Sequence, residues 1–458
     1  MVRSINPRTG EVIRDTPSSS ASDVSDALSA ARKAQREWCS RTRGERADRI
    51  RELERVCRQR MDEVVGLMHE EIGVPRKALA AAYGSALAGV GYYIEKYLGM
   101  GEQEYPLPSS WAETRATVEL VPHGVVGHIG VWNFPFWQTM ITAIPALLTG
   151  NGVVYKPSEL STLSGLRIAE LVHEAGIPKD LYAAVVGEAD IGRLMVRSEF
   201  DALAFTGGIG TGLDITRNAG IKPLVLELSG NDAAIVCQDA DLEQAARGIA
   251  YGTFSRGGQV CIRIKRVYVH EELAEPLSER LAEIAAGLDV REDIGPLIRE
   301  EARDRVHGVV QDAVQKGSRL LHGGRKVDGP GFFYEPTVLC YQDDDLELVR
   351  RETFGPVCPL RAVRDEEEAV RLANDSPYGL GATIWTRDAD RGERIARRME
   401  VGNVWVNECV RTLPCGEYFQ GWKQSGIASP MSRLEMFLKK RTVVVNRACG
   451  PRAHWFGA

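Results

Sequence analysis

From Glu119 onward the chain alternates between short β-branched runs broken by glycine and stretches long enough to be helices, and this alternation narrows the possible folds most. The run Glu119-Leu-Val-Pro-His-Gly-Val-Val-Gly-His-Ile-Gly-Val131 has the pattern of buried parallel strand and tight turn. Gly152-Val-Val-Tyr-Lys156, Leu181 to Val186 and Ala202-Leu-Ala-Phe205 repeat it. Ala143 to Leu148 reads as a small-residue piece of helix, and Thr162 to Ala175 as a helix stopped by Gly176-Ile-Pro178. After Leu228 a second series begins with Ala233-Ala-Ile-Val-Cys237, a helix from Leu242, Val267-Tyr-Val-His270 and a helix from Leu273 to Ala286. It resumes with Cys358 to Val363, a helix at Glu366 to Ala373, Gly381-Ala-Thr-Ile-Trp385, a helix at Arg391 to Met399 and Asn403-Val-Trp-Val-Asn407. Helices between successive strands make those strands parallel, so the expected fold class is α/β with two domains, the first sheet binding a ligand at its C-terminal edge.

Ahead of the first series, residues 22–100 read as packing helices. Ala21-Ser22-Asp23 can cap a run with Val24, Ala27, Leu28 and Ala31 among its apolar positions, and Arg46 to Glu70 continues the helical period. Two segments fit neither series: Ala112-Glu-Thr-Arg-Ala-Thr-Val118 alternates like a solvated hairpin strand, and Arg441-Thr-Val-Val-Val-Asn446 is a late β-branched strand. They are expected to pair as a small arm that engages a second subunit.

At 458 residues the chain is long enough for two to three domains and a cleft between them. Its 57 Lys and Arg are spread along a chain of net charge -6, which leaves no concentrated patch for a phosphate backbone, so no nucleic acid partner is expected. The start, Met1-Val-Arg-Ser-Ile-Asn-Pro, has no secretory pattern, and the longest apolar stretches fall far short of the ~20 residues that cross a bilayer. Nine cysteines without a CxxC pair fit a reducing compartment, so the expectation is a cytoplasmic protein without membrane attachment. Eight histidines in no ligand spacing give no metal site.

Gly258-Gln-Val-Cys261 places a cysteine after a glycine turn. Alone, such a cysteine reads as a small buried hydrophobe. Its company changes that reading: Trp132-Asn133-Phe134-Pro135, Lys156-Pro-Ser158-Glu159, Phe205-Thr-Gly207, Glu227-Leu228-Ser-Gly230, Glu352-Thr-Phe354-Gly-Pro-Val357, Asn374-Asp-Ser-Pro-Tyr-Gly-Leu380, Gly402-Asn-Val-Trp-Val-Asn407 and Lys423-Gln-Ser-Gly426 stand in order along the chain. With the cysteine motif, this series resembles the ordered signature of the aldehyde dehydrogenase superfamily, from Ile5-Asn-Pro-Arg-Thr-Gly10 to the strand near Val443. The resemblance implies a Rossmann-type NAD(P)-binding domain (1–105 and 119–228), a second α/β catalytic domain (229–428), and an oligomerisation arm with the C-terminal tail (106–118 and 429–458). A homodimer or homotetramer would follow.

In such a protein Cys261 is the nucleophile, because a thiolate attacks a carbonyl readily and leaves again when water attacks the thioester. Asn133 and the Cys261 N–H are the implied oxyanion donors, and Glu227 the base for the hydrolytic water. The family branch that transfers the acyl group to coenzyme A usually lacks this glutamate, so Glu227 favours a free acid over that alternative. A dinucleotide-binding protein without turnover is the other rival, and it is expected to have lost one of these three residues. By resemblance Lys156 and Glu159, with Ser158, bind the adenosine ribose, Glu352 the nicotinamide ribose, and Trp132, Leu228 and Phe354 lie about the cofactor. The run Gly207-Gly208-Ile-Gly-Thr-Gly212 would present a helix N-terminus to the pyrophosphate. A carboxylate beside the ribose favours NAD over NADP.

Four positions depart from the usual pattern: Val131 for proline, Gly208 for serine, Asn231 for lysine, and Arg256 for the asparagine five residues before the nucleophile. Length and the Trp-Asn-Phe-Pro-Phe-Trp-Gln run resemble the bacterial succinate-semialdehyde branch. Yet Ile141 and Ser255 stand where that branch has its anion-binding arginines. Phe136, Trp137, Met140, Ile141 and Ile262 would give an apolar tunnel for a small-molecule aldehyde, while Arg256 and Arg411 offer anchors for an anionic one.

Overall fold

The computed structural model describes residues 1–108, 111, 113–411, 419–427 and 434–447. A hairpin of Val2–Ile5 with Val12–Thr16 precedes the helical region. The first helix, Ala21–Ser40, is capped by Ser20, one residue earlier than the sequence suggests: Ser20 accepts from the Asp23 N–H while the Asp23 carboxylate takes the Ser20 N–H. The stretch read as one helical run is two helices, Arg43–Gln59 and Met61–Ile72, broken at Arg60.

Five parallel strands form the first sheet in the order Tyr182–Ala184, Gly152–Lys156, Val125–Ile129, Ala202–Gly207, Leu224–Leu228. The chain fills one edge outward from Val125–Ile129 and then crosses back to fill the other, which is the strand order of a Rossmann-type half. Val126, Val153 and Tyr155 pack on one side with helices Pro135–Leu148 and Thr162–Glu174, and Val125, Val154 and Leu203 on the other with Ala21–Ser40. Cover on both faces is why these strands are continuous apolar runs. The order reverses between Val125–Ile129 and Ala202–Gly207, so the loops after these two strands, carrying Trp132-Asn133 and Gly207-Gly208, flank the ligand crevice.

The second sheet has seven strands in the order Arg319–His322, Thr337–Cys340, Val357–Val363, Ile264–His270, Asp232–Val236, Gly381–Trp385, Asn403–Val406, all parallel except the first pair. Strands Arg319–His322 and Thr337–Cys340 and helix Glu300–Gln315 were not anticipated; the two strands are four residues each and carry no alternating pattern. The helix expected at Ala143 to Leu148 begins much earlier, at Pro135, which sits in the first turn where no N–H partner is needed. Because that helix is buried on nearly every side, it lacks the polar stripe that marks a surface helix.

The expected arm is present. Leu438–Asn446 pairs antiparallel along all of Thr114–Pro122, and Gln103–Tyr105 adds a third strand. Ala112 and the tail residues 429–433 and 448–458 lie outside the described residues.

Candidate active site

Glu227 is the fourth residue of strand Leu224–Leu228 and is 1% exposed. Opposite it, the chain enters strand Ile264–His270 through a turn in which Arg256, Gly257 and Gly258 all take positive φ, at 57, 66 and 68°. Gly258 is required there: a Cβ would stand 2.2 Å from the Gly355 carbonyl oxygen. The turn brings the half-buried Cys261 to the strand end, its Sγ donating to Glu227 Oε1 at 3.4 Å. From helix Pro135–Leu148, Gln138 Nε2 donates to the other carboxylate oxygen at 2.7 Å.

Burial lifts the Glu227 carboxyl above the ordinary carboxylate range, with the Gln138 bond opposing it. Burial, and then the neighbouring carboxylate, lift the Cys261 thiol well above its usual value, against the pull of the Lys265 ammonium. Lys265 is itself buried, donating to the carbonyls of Val260 and Cys261 and pairing with Glu352 Oε1 at 3.1 Å. Asn133 Nδ2 donates to the Gln259 carbonyl at 2.9 Å, and the same amide carries a second N–H. Gln259 anchors the turn through its side chain to Arg256, Pro296 and Ile298.

A cavity of about 900 Å³ opens over the thiol, lined among others by Trp137, Gln138, Glu227, Arg256, Ile262 and, at its mouth, Arg411. Arg256 is 6% exposed and makes two neutral contacts, Nη2 to the Asn133 carbonyl at 2.5 Å and Nη1 to the Ala78 carbonyl at 3.4 Å. Its guanidinium sits 4.0 Å over the Phe134 ring, and its Nε has no acceptor. Among the described residues no carboxylate lies within ion-pair distance of it. Burial pulls it down to about 9, so it stays charged at neutral pH. Arg411 is exposed and pairs with Glu408 at 3.3 Å; residues 412–418 lie outside the described residues.

Three tunnel expectations are corrected, because Phe136, Met140 and Ile141 are not among the residues lining the cavity. Phe136 stacks on Tyr83 with ring centroids 3.5 Å apart, and Met140 sits in the same helical core, so neither lines the cavity. Residues four apart share a helix face: 136 and 140 turn to the core, while Trp137 and Ile141 turn toward Cys261, Ile141 packing with Val260 and Ile262 beneath the cavity floor.

Lys156, Ser158, Glu159, Gly207 and Leu228 stand at or just after the C-terminal ends of strands of the first sheet. Lys156 ends its strand with its ammonium on the Pro157 carbonyl, 3.7 Å from Glu159, and burial lowers its proton affinity. Ser158 caps the short turn that carries Glu159. Gly208 begins helix Ile209–Asn218 without a side-chain cap, and nothing lies within 4 Å of where a Cβ would stand on Gly208 or Gly210. That open first turn, with unused N–H groups, fits a pyrophosphate. Gly212 packs against Leu228, whose N–H is held by the Ser425 carbonyl. Trp132 and Phe354, edge to face at 5.9 Å, line a further hollow of about 190 Å³ with Leu160 and Thr353. Of the other departures, Asn231 is spent on the Val349 carbonyl at 2.8 Å.

Gln138, Lys265 and Gln259 were missed in the sequence. Their signal was present: a glutamine inside an apolar helix, and Arg263-Ile-Lys265-Arg266 entering a central strand, are buried polar groups that need partners. Among the described residues there is no metal-binding group of three His, Cys, Asp or Glu, and no helix long and apolar enough to cross a membrane.

The sequence profile described as the aldehyde dehydrogenase family matches residues 1–443. The chain is 34% identical to the succinate semialdehyde dehydrogenase [NAD(P)+] Sad of Escherichia coli (strain K12), covering 97% of this chain and 98% of that protein. It is also 34% identical to a succinate-semialdehyde dehydrogenase [NADP(+)] of Deinococcus radiodurans, over 94% and 92% of the two chains. Its fold superimposes with a TM-score of 0.93 on the NADP-dependent glyceraldehyde-3-phosphate dehydrogenase of Bacillus halodurans C-125, at 32% identity over 98% of this chain and 96% of the other. Likeness along essentially the full length of each of these proteins, on a dinucleotide sheet whose crevice leads to a thiol against a buried carboxylate, means that the chain belongs to the aldehyde dehydrogenase family and is a nicotinamide-dinucleotide-dependent oxidoreductase acting on aldehydes.

Proposed function

We propose that Cys261 is the nucleophile, that Glu227 is the base and Asn133 an oxyanion donor, and that the product is the free carboxylic acid. The observation that carries this is the 3.4 Å contact between the Cys261 sulfur and Glu227 at the floor of a cavity wide enough for an aldehyde. The thiol proton is lost to solvent as sulfur attacks the carbonyl carbon, which leaves Glu227 ionised, and the alkoxide that forms is met by the spare N–H of Asn133 and the Cys261 N–H. The oxidised nicotinamide, when bound, supplies the acceptor for the hydride that leaves this adduct. Water then attacks the thioester carbon, Glu227 takes its proton, the C–S bond breaks and the acid departs.

Lys156, Ser158 and Glu159 would hold the adenosine ribose, Gly207, Gly208 and Gly212 the pyrophosphate, and Trp132, Leu228, Glu352 and Phe354 the nicotinamide end. NAD is the preferred form in this reading because Glu159 places a carboxylate next to Lys156, where a ribose phosphate would be repelled. Absorbance of the reduced cofactor with NAD or NADP over an aldehyde panel, with coenzyme A added and omitted, tests the whole reading. It fails if a folded protein reduces neither cofactor with any aldehyde, or if turnover requires coenzyme A.

A second reading narrows the substrate to an aldehyde with an anionic far end. It is favoured by Arg256, a buried cation in the cavity wall without a carboxylate partner, and by the two relatives named for succinate semialdehyde. Trp137 and Ile262 would border the chain of such a substrate, and Arg411 the mouth. Assembly through the arm into a dimer or tetramer is supported by Val444 and Val445, 56% and 46% exposed on an edge strand, and is measured by light scattering. The seven described cysteines are all free, which suits a cytoplasmic setting. The domain division given above is retained as a proposal, with the arm sheet drawing its strands from Gln103 to Pro122 and from Leu438 to Asn446.

A further inference from the structure

Glu227 has two side-chain partners, and the reaction removes one of them. At rest its Oε1 accepts from the Cys261 thiol and its Oε2 from Gln138. Once the sulfur carries an acyl group it has no proton to give. Among the described residues the Gln138 amide is then the one side-chain donor left on the carboxylate. We propose that Gln138 is a positioning residue for hydrolysis, holding the Glu227 carboxylate ionised and aimed at the thioester after the thiol has been consumed. The proposal rests on the reading of Glu227 as the base.

The placement of Gln138 supports this. It is 3% exposed, on a helix whose other side chains are almost all apolar, and its Oε1 has no hydrogen-bond partner. A carboxylate only accepts, so the nitrogen of the amide must face Glu227 and the oxygen is left unmet. An unmet buried acceptor costs stability, and a leucine or methionine would avoid it; the donated bond is the compensating feature. The Cys261 thiol is the titratable group in contact with Glu227. Helix Pro135–Leu148 presents Gln138, and the returning segment presents the Gly426 backbone. Lys77, Arg247, Arg256, Arg411, Glu292 and Asp293 line the same cavity, and among the described residues no cation is within ion-pair distance of Glu227.

In the step concerned, a water oxygen bonds to the thioester carbon and its proton goes to Glu227 Oε1, the oxygen that the thiol has vacated. The C–S bond then breaks with its electron pair leaving on sulfur, the acid is released, and the proton returns from Glu227 to the thiolate. No redox change occurs. Gln138 stays on Oε2 throughout and so keeps Oε1 turned to the reacting carbon.

The experiment uses the full-length enzyme with its dinucleotide and an aldehyde that it turns over. The first burst of reduced cofactor reports acylation, and quenched mass spectrometry of the Cys261 adduct reports its hydrolysis across pH. Losing a hydrogen bond to a charged group predicts that Gln138→Leu slows adduct decay near neutral pH by about ten- to a hundredfold and moves its acidic limb up by about one to two pH units. The burst stays within about threefold of the parent, since the Cys261 contact is intact. Gln138→Glu, nearly isosteric, puts a second carboxylate there and should move the limb up further; it serves if the leucine variant does not fold. An unmoved limb in the folded variants, or burst and decay falling by one common factor, overturns the proposal. If Glu227→Gln blocks adduct decay while Gln138 variants are indifferent, the base assignment stands and the role of Gln138 falls. If Glu227→Gln decays normally, both fall.

Discussion

Arg256→Asn is the substitution that separates substrate recognition from loop architecture. Arg256 takes φ 57° and ψ 34°, a left-handed conformation that asparagine tolerates better than other side chains, so the backbone of the turn can persist in the variant. The guanidinium has two carbonyl acceptors and no carboxylate, and a substrate carboxylate reaching it would meet no competing anion. One charge-assisted hydrogen bond of this kind is worth about 1.5–3 kcal/mol, or roughly 10- to 150-fold in kcat/KM. Coulomb attraction at 4 Å with an effective dielectric near 20 gives about 4 kcal/mol, which sets the upper bound before desolvation is subtracted. The assay compares kcat/KM for two aldehydes of equal chain length, one ending in a carboxylate and one in a methyl group. The carboxylate substrate should lose about 10- to 100-fold and the methyl one less than about threefold. Removing an uncompensated buried charge offsets the lost cation–π contact with Phe134, so the melting temperature should change little. Equal losses on both substrates, or none on the anionic one, refute anion recognition and leave Arg256 as a brace between the Asn133 and Ala78 carbonyls.

Four further outcomes are expected. Glu227→Gln should preserve the burst of reduced cofactor but lower kcat by about 10²- to 10⁴-fold, and a proportional loss of burst would count against a hydrolytic base. Burial raises both the Glu227 carboxyl and the Cys261 thiol, so base and thiolate forms are lost as pH falls through elevated values; the acidic limb of kcat should lie above the ordinary carboxylate range, and a limb near 4.5 contradicts this. Gly258→Ala would drive a Cβ to 2.2 Å from the Gly355 oxygen at positive φ, and should lower stability by more than about 2 kcal/mol in denaturant unfolding or prevent folding. Asp232 is buried with neither carboxylate oxygen paired, and burial lifts it to about 7; its contribution to stability is therefore present below its unfolded value and lost as pH rises through about 7. Asp232→Asn should melt higher than the parent at pH 8, by up to roughly 4 kcal/mol, and an equal or lower melting temperature there would show that Lys265 needs the charge.

The parallel strands were legible because burial on both faces leaves a local trace, a run of Val, Ile and Ala cut off by glycine. Val125–Ile129, Gly152–Lys156 and Gly381–Trp385 stand where those runs stand. Helix Pro135–Leu148 was legible only at its end, because a helix buried on every side has no period to detect. Arg319–His322 and Thr337–Cys340 were lost because a strand of four residues is too short to show a period of its own. The site divides in the same way. Family likeness brought forward Cys261, Glu227 and Asn133, but nothing local says that residues 34 apart touch; that contact exists because two sheets meet edge to loop.

The residues at this junction that depart from their surroundings have a common form. Gln138 is polar in an apolar helix, Lys265 is charged at the start of a central strand, and Arg256 is a bulky residue in a glycine conformation. Each breaks a rule that the surrounding residues obey, and each costs stability where it sits. The structure shows the return on that cost: Gln138 reaches the carboxylate beside the thiol, Lys265 ties the nucleophile's own peptide to Glu352, and Arg256 holds a positive charge in the cavity wall. Violations scattered over the chain would indicate poor packing. These three surround Cys261, so an account that explains the sulfur chemistry must also explain them, and the Gln138 and Arg256 variants test whether it does.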